Sequence, residues 1–318
     1  MTLRFAARHW DHLLPLALGD IDTLGVDIDL DRRDITPNLW ASPDLDIAES
    51  SFSQYLLKRA AGDDSVTALP VFVMSGFRQR CIITRTDSDI TSLDQLRGAT
   101  VGLTGWPDSG NTWTRALLRR EGVGLDEVTW RVGPLTDAHP VTDRIGPFGA
   151  PSNVAHTDND GTLTAQLLDG TLDAVMTPFM PPGFYAPNSP YRPLFRNTAA
   201  VEADYYREVG YVPGIHLVGV KTALLDADPT LAQKLVNILE ASKRLAAERH
   251  TKLQDVLPWL NDAVQETEAV FGDDWLRYGS SAATNMFDDF AAEHLAQGSL
   301  DRHVQYSDVF PVAVEPQH

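Results

Sequence analysis

The sequence predicts an α/β fold in two lobes, with mostly parallel sheets and a helical C-terminal segment packed on the first lobe. Three observations carry this. Short apolar runs that read as strands are followed by loops rich in Gly, Ser, Asn and Asp, and then by helical patterns, through the first two thirds of the chain. From Pro229 to Lys252 the residues Leu231, Leu235, Ile238, Leu239 and Leu245 recur at helical spacing, and further helices continue to His303. The strand pattern also has the chain leave the first lobe near Arg80 and return near His216. The lobes are then residues 1–80 with 217–318, and residues 81–216. Such a double crossing makes a hinge, and a hinge between lobes is a ligand cleft.

Taken in order, Leu13 to Leu18 reads as the first strand, ending in Gly19-Asp20-Ile21-Asp22-Thr23. Glycine followed by acidic and hydroxyl residues suits a turn at a strand's end, where Asp20 and Asp22 either form the turn or contact a ligand. Val26 to Leu30 alternates apolar and polar, as a half-buried strand does. Asp44 to Glu49 is a further strand, and Ser50 to Ala60 begins with serines before a helical pattern. One serine caps that helix, and the turn aims free backbone N–H groups where an anion can bind. Thr67 to Met74 is a strand, and Thr91 to Gly98 a short capped helix closed by glycine. Thr100 to Thr104 is a strand, followed by Gly105 to Thr112 and a helix from Trp113 to Glu121, which repeats the strand, polar loop and helix start. The loop lacks the Gly-Lys-Ser/Thr of a phosphate-binding loop. Asp126 to Val132 is a strand, and Gly133 to Gly161 a long loop carrying His139 and His156. A helix at 163–168, a turn and strand at 170–178 and an extended segment at 191–195 follow. A helix at 201–209 then leads to a strand with His216 at its start.

The stretch Gly76 to Arg85 reads as a polar, cationic start running into an apolar strand. Residues two apart on a strand share a face, so Arg78 and Arg80 form one candidate anion-binding surface.

Composition narrows the function. A formal net charge of -18 over 318 residues argues against nucleic acid and anionic membranes as partners, and leaves room for a small anionic ligand in a local cationic site. One cysteine, Cys81, permits no intrachain disulfide and no cysteine zinc cluster, and in an apolar strand it reads as a small buried hydrophobe. No basic start followed by an apolar run and no membrane-length apolar window is present, which leads to an expectation of a cytoplasmic protein. No His-x-His or His-Glu-x-x-His spacing favours a metal. A homo-oligomer is possible and unreadable from one sequence.

Several segments carry a resemblance. Ser53-Gln54-Tyr55-Leu56, Pro70-Val71-Phe72 to Phe77-Arg78, and Asp94 to Gly102 are three of them. Trp113 to Leu118, Asp169 to Ala174, Pro193-Leu194-Phe195, Glu202 to Tyr206, Pro213-Gly214-Ile215-His216 and Leu257-Pro258-Trp259-Leu260 extend them across most of the chain. Together they resemble type 2 periplasmic-binding-protein folds and, more narrowly, 4,5-dihydroxyphthalate decarboxylases. Departures fall at Gln79, Arg80, the loop Gly105 to Asn111 and Thr177-Pro178-Phe179. The resemblance implies removal of one carboxylate from a dihydroxylated aromatic dicarboxylate, a small anionic aromatic substrate and no organic cofactor.

That chemistry assigns expectations to residues. Loss of carbon dioxide from a ring requires the ring carbon to be protonated, cations for the retained carboxylate and an acceptor for a phenol proton. His216 is the candidate acid, because imidazole titrates near working pH, or else a hydrogen-bonded hinge residue. Arg78, with Arg80, holds a carboxylate. Ser51, Ser53, Ser109 and Asn111 lend donors at helix starts, Thr177 lies among the substrate-binding positions, and Asp20 or Asp22 accepts from ring hydroxyls or orients His216. Two other readings stay open: a binding protein for a small anion without catalysis, and a different reaction on a carboxylated ring.

Overall fold

The structure is a computed structural model that describes residues 1–139, 154–156, 161–252 and 257–317. Most of the loop read at 133–161 and the side chain of His156 lie outside the described residues. The principal elements are β1 (Thr2–Arg8), α1 (Leu14–Leu18), β2 (Asp27–Arg33), β3 (Ile47–Ser51), α2 (Phe52–Ala60), β4 (Val66–Ser75), β5 (Ile82–Arg85), β6 (Thr100–Leu103) and α3 (Ser109–Arg120). They continue with β7 (Thr129–Val132), β8 (Val154–His156), α4 (Leu163–Asp169), β9 (Ala174–Met176), β10 (Tyr191–Pro193), α5 (Thr198–Val209) and β11 (Gly214–Lys221). The C-terminal helices are α6 (Thr222–Ala227), α7 (Leu231–Lys252), α8 (Leu260–Phe271), α9 (Ser280–Ala296) and α10 (Tyr306–Val309).

The chain divides into two compact units. The first holds residues 1–75, 214–288 and 304–318, and the second holds 76–213 and 289–303. The chain therefore passes between units at 75/76, 213/214, 288/289 and 303/304, and residues 289–303 group with the second unit.

In the first unit the strand order is β2-β1-β3-β11-β4. β1 pairs parallel with β2 and β3, and β11 runs antiparallel between β3 and β4. Leu3, Phe5 and Ala7 alternate along β1 into a core with Ile47, Val71 and Val218, as period two requires. The helical repeat of α7 closes this core with Leu231, Leu235, Val236 and Leu239, so the helical segment packs where its apolar stripe predicts.

In the second unit the order is β10-β5-β9-β6-β7-β8. β6 to β9 pair in parallel, and β5 is antiparallel to both β9 and β10. Ile83, Leu163, Leu167, Leu172 and Val175 form its core cluster.

Three local readings change. Leu13–Leu18 is helical rather than the first strand: a proline stands in the first turn of α1, and Gly19 closes it at φ 74°. The first strand is β1, whose own alternation was the available signal. Arg78 and Arg80 do not share a strand face. Gln79–Cys81 forms a 3-10 turn, in which the Cys81 N–H donates to the Arg78 carbonyl at 2.9 Å, and the strand starts only at Ile82. The helix placed at Trp113 starts four residues earlier, where Asp108 accepts the Gly110 N–H at 2.9 Å.

Candidate functional site

The first unit gathers a cationic and imidazole-bearing cluster at the junction of β3 and α2. His216 on β11 stands in register with Ser51 on one side and Met74 on the other. Leu69 and Met74 of β4 face Val218 and His216, so β4 residues 70–73 span a single β11 residue, Leu217. Pro70 within that bulge has no N–H to lend to a ladder. Bulges re-aim side chains, and this one sits at His216.

Glu49, fully buried on β3, is the hub. Its Oε1 accepts from His216 Nδ1 at 2.5 Å and from Arg8 Nε at 3.0 Å. Its Oε2 accepts from the Arg8 backbone N–H at 2.7 Å and from Trp10 Nε1 at 2.9 Å. Burial pushes this carboxyl up, but the hydrogen bond and charge of His216 and the charge of Arg8 outweigh it and bring it down to about 2. Arg8 lies over the Trp10 ring, 4.5 Å from its centroid, and its side chain is 18% exposed. Ser51 caps α2 by accepting the Gln54 N–H, and Ser53 is buried in the first turn of that helix.

Asp20 and Asp22 do not join this cluster. The Asp20 carboxylate pairs with Arg249 at 2.7 Å, and Asp22 accepts the Leu24 N–H at 2.8 Å. The helical turn of α1 places both after a helix rather than at a strand's end. The carboxylate that holds His216 is Glu49, and neither Glu49 nor Arg8 was singled out in the sequence. The signal for Glu49 was an acid directly after Ile47 and Ala48 and before two serines, at the end of the predicted strand. Arg8-His9-Trp10 gave none beyond its composition.

The second unit gathers Arg78, Ser109 and Asn111 at the start of α3. Arg78 is buried, and its Nε donates to the Gly110 carbonyl at 3.1 Å and to Thr114 Oγ1 at 3.3 Å. Its Nη2 has no hydrogen-bond partner among the described residues. A Cβ at Gly110 would lie 2.7 Å from that Nη2, so glycine lets the guanidinium lie against the helix start. Asn111 donates from Nδ2 to the Gly105 carbonyl at 2.9 Å, and Ser109 is buried beside it. Thr177 is buried, donates its backbone N–H to the Cys81 carbonyl and closes its hydroxyl onto the Phe179 backbone. His139 is exposed and bonds Thr136 Oγ1 at 2.8 Å.

Arg80 stands apart from Arg78. Its Nε donates to Glu202 Oε1 at 2.9 Å, a second bond joins Nη2 to Oε2, and Glu202 is buried on α5. This bidentate pair ties the 3-10 turn to α5 rather than presenting the guanidinium beside Arg78. Arg80→Ala strands the Glu202 carboxylate and is expected to cost the second unit about 1–3 kcal/mol. A lower urea midpoint at unchanged slope is the check; a native midpoint would show that the pair contributes nothing.

Among the described residues no group of three or more His, Cys, Asp or Glu side chains is placed to hold a metal ion. Nor is any helix there long and apolar enough to cross a membrane.

The fold is two-lobed and α/β and resembles the type 2 periplasmic-binding-protein fold, with a helical C-terminal segment packed on one lobe. Within it the chain resembles the 4,5-dihydroxyphthalate decarboxylase family. A 4,5-dihydroxyphthalate decarboxylase of Comamonas testosteroni is 28% identical over 326 residues, covering 99% of this chain and 98% of that protein. One from Pseudomonas putida is 29% identical over 215 residues, covering 66% of this chain and 83% of that protein. A family model described as NMT1/THI5 like matches residues 23–150.

Solved structures share the fold alone. The alkanesulfonate-binding protein SsuA from Xanthomonas axonopodis pv. citri, bound to MOPS, matches at TM-score 0.55 and 13% identity, covering 99% of this chain and 98% of that one. The desulfurization enzyme DSZB matches at 0.55 and 16%, covering 97% and 95%. The periplasmic aliphatic sulphonate binding protein SsuA from Escherichia coli matches at 0.50 and 12%, covering 79% and 75%. The cytoplasmic expectation is corrected here: the fold is shared with periplasmic solute-binding proteins, and that location is withdrawn.

Proposed function

We propose that this protein is a carboxy-lyase that decarboxylates a hydroxylated aromatic carboxylate without an organic cofactor, with 4,5-dihydroxyphthalate giving 3,4-dihydroxybenzoate as the favoured substrate and product. The observation that carries the reading is the His216 imidazole held by a buried, ionised carboxylate beside the Arg8 guanidinium. The relatives named for this reaction support it, the first of them along nearly the whole chain.

In the proposed step the ring is protonated first and carbon dioxide leaves second. The ring hydroxyl releases its proton and feeds an electron pair towards the carbon that bears the carboxylate. That carbon takes a proton from the His216 imidazolium, and the ring loses its aromaticity. The bond to the carboxylate then breaks, its electron pair returns to the ring, and carbon dioxide leaves. The ring oxygen takes back the proton that the hydroxyl gave up to water, and the neutral imidazole recovers its own from water, so that one proton is consumed for each carbon dioxide released. Arg8 supplies positive charge close to the imidazole, where a carboxylate substrate has most need of it. Arg78, with Ser109 and Asn111, is the candidate anion-binding group of the second unit.

The likeness in fold to an alkanesulfonate-binding protein favours a second reading, capture of a small anion without chemistry. One incubation separates them. Purified protein with 4,5-dihydroxyphthalate is expected to release 3,4-dihydroxybenzoate and carbon dioxide in equal amounts. Saturable binding with no product supports the solute-binding reading, and neither binding nor product removes this substrate.

A further inference from the structure

We propose that Glu49 is the positioning residue of this site: its carboxylate fixes His216 as the Nδ1–H imidazole, so that Nε2 is the nitrogen that gives and takes the proton. The inference rests on the reading of His216 as the proton donor. It adds which atom acts, and what holds it.

Four donors converge on Glu49, two on each oxygen: Arg8 Nε and His216 Nδ1 on Oε1, the Arg8 N–H and Trp10 Nε1 on Oε2. An ionised carboxylate only accepts, so a ring nitrogen 2.5 Å from it must carry a hydrogen. One neighbour competes for Nδ1. Arg8 Nη2 lies 3.3 Å away and would need Nδ1 as an acceptor. That contact is longer, and Nη2 has a nearer partner in Met74 Sδ at 2.8 Å. The short contact to the anion therefore sets the tautomer. This opposes the preference of a free neutral imidazole, which carries its proton on Nε2 in water.

The other ring nitrogen is what remains for chemistry. Among the described residues Nε2 meets no hydrogen-bonding partner, and the side chain is 15% exposed, while Nδ1 contacts a fully buried acid. With Nδ1–H anchored in both protonation states, proton transfer at Nε2 needs no turn of the ring. The anchor also rests on backbone: Glu49 takes the Arg8 N–H, which ties its own orientation to β1.

The test reads the ring directly. In ¹⁵N-labelled protein, the His216→Gln spectrum identifies the His216 nitrogens by their loss. In its neutral form the ring of native protein is expected to carry its hydrogen on Nδ1. Glu49→Met, similar in length but without a carboxylate, is expected to move the majority to Nε2–H. The same variant should lower kcat on the order of 10²-fold with KM little changed. A native ring protonated at Nε2 overturns the proposal, and so does a Glu49→Met protein that keeps both the native ring spectrum and native kcat. If that variant fails to fold, the native spectrum alone decides. The spectra need no substrate, so absence of turnover on 4,5-dihydroxyphthalate would remove the decarboxylase reading and leave the Nδ1–H assignment standing.

Discussion

His216→Gln is expected to lower turnover of 4,5-dihydroxyphthalate by about 10²- to 10⁴-fold, the range a positioned general acid contributes. Equilibrium binding should change little. Glutamine keeps a polar group of similar reach on β11, so Glu49 retains a donor while the site loses its transferable proton. Arg8, its nearest source of charge, is untouched by the change. Rapid-mixing kinetics with a separate binding measurement on the same preparation tells the two quantities apart. A variant that turns over at the native rate removes His216 as the acid, and one that neither binds nor turns over gives the residue a structural role instead.

Acid is expected to unfold the first unit through Glu49. Its carboxyl is lowered from 4.5 to about 2 in the folded chain, so the folded state binds the proton less readily than the unfolded one. The sign follows. Stability from this group is complete above about pH 4.5 and disappears as pH falls through about 2, a contribution on the order of 3 kcal/mol. Asp11, lowered to about 2 chiefly by its hydrogen bond to His12, acts in the same direction over the same range. Comparing native protein with Glu49→Gln isolates Glu49. The native advantage in urea midpoint should be largest near neutral pH and shrink steadily below about pH 4.5. Midpoints that fall in parallel down to about pH 2 would mean that Glu49 is not held ionised.

Much of the secondary structure could be read from local pattern, because period two and period 3.6 are written by neighbouring residues. The stripe of α7 and the Ser51 cap of α2 lie where their residues place them. Misreadings came from runs too short to show a period. Leu13 to Leu18 is apolar throughout and equally compatible with strand or helix, and only Pro15 and Gly19 tip it. The arginine pair failed differently. Two residues apart means one face only on a strand, and a 3-10 turn sends Arg78 to Gly110 and Arg80 to Glu202.

The sequence by itself determined the α/β class and the resemblance, which depend on residue type and local spacing, and it offered His216 as the candidate acid. What only the tertiary structure decided is the company His216 keeps. Glu49 lies 167 positions from it and Arg8 lies 208 away, brought together because β11 inserts antiparallel between β3 and β4 while β1 pairs on the far side of β3. No local pattern encodes such a meeting, since strand pairing is set by burial of whole faces rather than by the residues that end up touching.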